Sequence, residues 1–202
     1  MRIGRLICTT AASVGLLGTA TGVARAEQVS VPDVARTLVT VDGWQMALSL
    51  TDARIDAVPN MASAPLSKEG FLSGRVTLRV EGDGTAAVNG GHVVVGAQLG
   101  CQVNLDDGVD LGVDLDADFF DDLPVVGVGP DIGATLRSGG ITAVGFGVKE
   151  LKGPVATINI VDAHVQVDEC GGVVTARLFA SAQMSTDISD DSVSVYSAVV
   201  PL

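Results

Sequence analysis

The sequence predicts an all-β protein, and three observations carry that reading. Valine-rich runs of strand length recur along the chain, separated by clusters of Gly and Asp that read as turns. The composition is 47% apolar with 25 glycines, but it holds only one Trp, one Tyr and five Phe. After the first 26 residues no apolar run reaches the roughly 20 residues of a transmembrane helix. If such a chain spans a membrane, it must do so as a barrel of strands.

The first 26 residues carry an address. Arg2 and Arg5 make a positive start, Leu6 to Val23 is mostly apolar, and Ala24-Arg25-Ala26 has the small-x-small form of a signal-peptidase site. Residues 1–26 are therefore expected to be a signal peptide, with the exported chain opening at Glu27. The alternative is an N-terminal membrane anchor, against which Thr, Ser and Gly interrupt the run. Cys8 lies too far upstream of the cleavage site to be a lipoprotein cysteine.

Cleavage would remove Arg2, Arg5 and Arg25 from the 12 basic residues, leaving nine against 24 acidic ones and a formal charge of −15. That balance argues against a nucleic-acid partner, which needs a basic footprint, and against electrostatic docking on anionic lipid. Two cysteines remain, Cys101 in "GCQV" and Cys170 in "DECGG". In an exported chain one pair most simply makes one disulfide, expected to staple adjacent strands. A reactive free thiol is the alternative.

Taken in order, "ARTLVTVDGWQMALSL" reads as a strand, a "DG" turn and a second strand, with Trp44 as a core residue. "TDARIDAVPNMASAPLSKEG" reads as the longest loop. In "FLSGRVTLRVEGDG" Val76, Leu78 and Val80 share one face, Arg75, Thr77 and Arg79 the other, and "EGDG" ends the strand. "GGHVVVGAQLGCQVNL" is apolar enough to be a buried strand. "GGITAVGFGVKELKG", "VATINIVDAHVQVDECGG" and "VVTARLFASAQMSTDISDDSVSVYSAVVPL" supply the remainder, with "KELK" a solvated turn. Eight to ten strands and no helix are expected.

Between them lies "VDLGVDLDADFFDDLPVVGVGPDIGATL". On its first arm Val109, Leu111, Val113, Leu115, Ala117 and Phe119 share one face, and Asp110, Gly112, Asp114, Asp116 and Asp118 the other. On its second arm Val126, Val128, Ile132, Ala134 and Leu136 oppose Gly127, Gly129, Asp131, Gly133, Thr135 and Arg137. An arm of about 11 residues at about 3.3 Å each, tilted by about 40°, rises close to the apolar band of an outer-membrane barrel. Phe119 and Phe120 sit where an interfacial aromatic girdle belongs. Pro130 counts against a continuous barrel strand, because it removes a ladder donor.

Catalytic and metal readings are weak. Asp114, Asp116 and Asp118 have the D-x-D-x-D spacing of a calcium loop, but Phe119 replaces the required Gly and Val125 the closing Glu. His92 and His164, the only two histidines, each fall inside an apolar strand and read as sheet residues. No nucleophile elbow, phosphate loop or dinucleotide fingerprint is present. The expectation is a non-enzyme without cofactor or metal.

"GFLSGRVTLRVEG", "VVVGAQLGCQV", "AHVQVDECGGVVTARLFASA" and the Asp-rich hairpin between them resemble the MspA porin family, from about Trp44 to the C-terminus. The resemblance rests on segment order, spacing and patterning. It implies oligomeric porins of a mycolic-acid outer membrane, in which each subunit gives a β-sandwich to a soluble rim and one long hairpin to a shared barrel, octameric in the best-known members. It implies rim segments at about 35–108 and 145–202 and a stem at about 109–137. The constriction would fall on Asp121 and Asp122, with Asp110, Asp114, Asp116, Asp118 and Asp131 lining the pore. Val109, Leu111, Val113, Leu115, Phe119, Val126, Val128, Ile132 and Leu136 would face lipid. Small hydrophilic solutes, cations above all, would pass. The acidic first arm and glycine-rich second arm depart from the family pattern. The alternative from another class is a soluble secreted β-sandwich that binds a ligand or cell-wall partner, with the hairpin folded back.

Overall fold

The computed structural model describes residues 27–103, 125–128, 131–134 and 140–202. These residues form twelve strands and no helix, two strands beyond the upper end of the sequence reading. The strands are β1 (Glu27–Ser30), β2 (Val34–Val39), β3 (Gln45–Val58), β4 (Lys68–Glu81), β5 (Val88–Cys101), β6 (Val125–Val128), β7 (Asp131–Ala134), β8 (Ile141–Glu150), β9 (Val155–Val167), β10 (Val174–Thr186), β11 (Asp190–Tyr196) and β12 (Val200–Pro201).

They make two six-stranded sheets packed as a sandwich. The first runs β1-β3-β4-β9-β7, with β2 also on β3; the second runs β11-β10-β5-β8-β6, with β12 also on β10. The expected β-sandwich is therefore present. Its core is the set of inward residues from both sheets: Met46, Leu48 and Leu50 on β3, Val76 and Leu78 on β4, Val93, Val95 and Leu99 on β5, Leu178 and Met184 on β10. Each large side chain so buried contributes roughly 1.5–3 kcal/mol relative to an exposed one. The alternation read for β4 holds, with Val76, Leu78 and Val80 buried and Arg75 and Arg79 exposed.

One expectation was wrong. The segment read as a loop from Thr51 onward continues β3 as far as Val58. A β-bulge interrupts the pairing of β3 with β4 between Thr51 and Arg54, where Asp52 adopts φ 54°. Inward residues are even-numbered before it (46, 48, 50) and odd-numbered after it (Ala53, Ile55). A two-residue period that changes phase in mid-strand looks aperiodic in sequence. β9 carries a matching bulge at Asp162, φ 51°, where Ser73 Oγ donates to Asp162 Oδ1 at 3.1 Å and accepts from Asp162 N at 2.9 Å.

The "DG" turn between β2 and β3 is a type I turn closed by a glycine bulge. Gly43 N donates to Thr40 O at 3.1 Å, Thr40 N donates to Trp44 O at 2.8 Å, and Gly43 takes φ +98°, which only glycine adopts cheaply. Trp44 is half-buried against the core, and its Nε1 donates to Ala86 O at 2.8 Å.

Candidate functional site

The chain between β5 and β8 is anchored at two adjacent strand ends. β5 ends at Cys101 and β8 begins at Ile141, and these ends are ladder partners, Gly100 opposite Ile141 and Leu99 opposite Thr142. Two strand ends side by side are what a protruding hairpin needs at its root. The root is clamped by the Cys101–Cys170 disulfide, whose Cα atoms lie 5.9 Å apart. Gln102 N donates to Val173 O at 3.1 Å, Gly171 N donates to Val103 O at 2.8 Å, and Cys170 N donates to Leu66 O at 2.9 Å. The Gln102 side chain adds an acceptor for Val173 N at 3.3 Å.

The disulfide predicted from cysteine count is therefore present, but its placement differs from the expectation. Cys170 is not in a strand next to β5. It lies in the connection from β9 to β10, where the chain crosses from the first sheet to the second. The bond fixes that crossing against the end of β5. Gln102 and Val173 belong to the same clamp and were not singled out in the sequence; their adjacency to the two cysteines was the only signal.

Three exposed apolar side chains stand at the root. Val103, Ile141 and Val173 are 43%, 69% and 55% exposed, respectively. Ile141 and Val173 border a shallow depression of about 380 Å³ with Gly100, Cys101, Gln102, Gly140 and Thr175. Exposed apolar side chains also occur away from the root, Val41 and Met61 among them.

Of the residues expected to carry function, Asp121, Asp122, Asp110, Asp114, Asp116 and Asp118 lie outside the described residues. So do Val109, Leu111, Val113, Leu115, Phe119 and Leu136, and so does the expected signal peptide. Val126 and Val128 fall in β6, Asp131 and Ile132 in β7. β6 pairs in parallel with β8, Val125 opposite Ala143 and Val128 opposite Gly145. β7 pairs in parallel with β9, from Asp131 opposite His164 to Ala134 opposite Val167. Among the described residues the second arm contributes two short strands, β6 and β7; Pro130 lies outside the described residues.

Electrostatics at the far end of the sandwich centre on Asp42, which is buried. Its carboxyl is held below the ordinary value, first by the Thr40 hydroxyl and then by the Thr186 hydroxyl, with burial opposing them. His164 is a sheet residue, as read: its Nε2 lies 2.8 Å from Glu69 Oε1, and its ring is tilted against Phe71 at 5.2 Å. His92 lies in β5, again as read. Among the described residues no group of three or more His, Cys, Asp or Glu is placed to hold a metal ion.

The family model MspA matches residues 42–200. No curated protein matches the sequence closely enough to count as a relative.

Proposed function

The chain belongs to the MspA family, whose members are oligomeric, exported outer-membrane porins, and on that premise we propose that it forms a water-filled, cation-preferring channel for small hydrophilic solutes. The observation that best supports this is the root of the insertion: adjacent ends of β5 and β8, clamped by the Cys101–Cys170 disulfide. Such a root lets residues of the 109–137 stem extend away from a rim that already has its own core. In the proposed pore, Asp110, Asp114, Asp116, Asp118 and Asp131 face water, while Val109, Leu111, Val113, Leu115, Phe119, Val126, Val128, Ile132 and Leu136 face lipid. Asp121 and Asp122 from every subunit form the narrow ring. A ring of carboxylates concentrates cations and repels anions. The proposed setting is a mycolate outer membrane and the proposed assembly an octamer, both following from the family.

The test is extraction of the exported protein in detergent, followed by gel electrophoresis and planar-bilayer recording. Heat-resistant oligomers that give stepwise conductance are expected. A monomer that never conducts would contradict the reading.

One observation favours the soluble alternative: β6 and β7 lie along the rim rather than away from it. In that reading the hairpin is a permanent part of a ligand-binding sandwich, and the protein stays in solution without detergent.

A further inference from the structure

The two short strands of the second arm close one side of both sheets. β8 and β9 are consecutive strands, joined across residues 151–154, and they lie on the same side of the sandwich. β6 lies outside β8, and β7 lies outside β9. Because β8 leads away from the root and β9 leads back toward it, the parallel partners β6 and β7 run in opposite directions. Together they strap the side of the sandwich.

The opposite side is closed differently. There β1 and β2 share the free edge of β3, while β11 and β12 share that of β10. Those four strands lie outside the stem segment. Only the β8–β9 side draws its cover from the segment whose apolar and acidic pattern assigns it to the stem. The backbone of residues 131–134 cannot pair with His164 to Val167 and also stand in a barrel beyond the root.

The strap is also short beside the pairings among the long strands. β6 and β7 are 4 residues each, and the β6–β8 register breaks between Val125 and Val128, whereas β4 and β5 are each 14 residues long. A bare sheet edge is a template for another chain, so an exported subunit gains from covering it until the right partner arrives. A closed ring of identical subunits needs two different, complementary sides on each copy, and the sandwich has two.

Resting on the porin reading, we propose that β6 and β7 hold the β8–β9 side shut in the unassembled chain. A second copy of this chain docks on that side once the strap leaves to build the stem. Assembly is then an exchange of strand pairing, and the folded-back and extended hairpins are two states of one protein.

Two cross-links test this. Gly133→Cys with Gln166→Cys ties β7 to β9, and Val125→Cys with Ala143→Cys ties β6 to β8; both pairs are register partners. Copper-catalysed oxidation of the monomer should close at least one added disulfide, mapped by mass spectrometry. The closed protein should stay monomeric in detergent and lose channel activity at least tenfold. The four single-cysteine variants, oxidised in the same way, should still assemble into oligomers that conduct, and each closed protein is judged against its own two. Failure of both pairs to close in the monomer overturns the strap. So does a fully closed protein that still forms oligomeric channels while the wild type conducts. A wild type that never conducts sinks the porin reading instead, and this inference with it.

Discussion

Asp42 shows how one side chain ties the far end of the sandwich together. It sits in the β2–β3 turn, its carboxyl accepts from Thr40, and Thr186, at the end of β10, reaches it from the other sheet. A carboxyl whose folded value is depressed contributes stability above its unfolded value of 3.8, and that contribution is lost as pH falls through the lower folded value. Asp42→Asn should therefore lower Tm at pH 7, and the gap to wild type should shrink steadily in acid. Thermal melts of the two proteins from pH 7 to pH 2 measure it; a gap independent of pH would remove the carboxylate from the account. The turn itself was legible, because "DG" demands a residue with positive φ after the aspartate. The burial of Asp42 was not, because Thr186 meets it only after the two sheets have packed. A second such case is Gly96, where an added Cβ would stand 2.1 Å from Val144 O and 2.8 Å from the Phe179 ring. Nothing in "VVVGAQ" announces so close an approach.

At the scale of elements, legibility followed the persistence of the two-residue period. β4 could be read because Val76, Leu78 and Val80 keep one face, and β5 because "VVVGAQL" is apolar enough to be buried, as Val93, Val94 and Val95 are. The second half of β3 was lost because the bulge at Asp52 moves the apolar positions from even to odd. The cysteine pair could be read from number and compartment alone, but its placement at a crossing between sheets needed the topology. That disulfide closes a loop with a sequence separation of 69 residues. The chain-entropy limit for such a loop is about 4 kcal/mol. Replacing Cys101 and Cys170 together by Ala should lower the urea midpoint by a corresponding amount without loss of the β-sheet circular-dichroism signal. An unchanged midpoint would show that the backbone hydrogen bonds of Gln102 and Gly171 hold the root unaided. The paired root makes a further prediction. Deleting residues 104–139 and joining the ends with a short Gly-Ser turn should leave a rim that folds, forms its disulfide and gives no channel. A deletion protein that still conducts would rule out a stem in this segment, and one that fails to fold would show that the rim needs the insertion for its core.

For the whole molecule, charge and pattern work together. A formal charge of −12 over the full sequence, with 24 acidic residues, is not spread evenly; six of the 24 fall within "DLGVDLDADFFDD". The rim supplies a folded platform with a clamped root, and the proposed stem turns the acidic face toward water shared by all subunits. Like charges brought together in a narrow ring attract counterions most strongly where salt is dilute, since screening over about 10 Å at 0.1 M weakens the effect as salt rises. Assembly could not be read from one chain's pattern, because the groups that close a ring belong to different copies. The most direct measurement is the reversal potential across a salt gradient for wild type and for the Asp121→Asn/Asp122→Asn double variant, at low and at high salt. Asn keeps the volume and removes the charge. The wild type should prefer cations, more so in dilute salt, and the double variant should lose most of that preference while assembling normally. Equal selectivity in the two proteins would contradict an acidic constriction at Asp121 and Asp122.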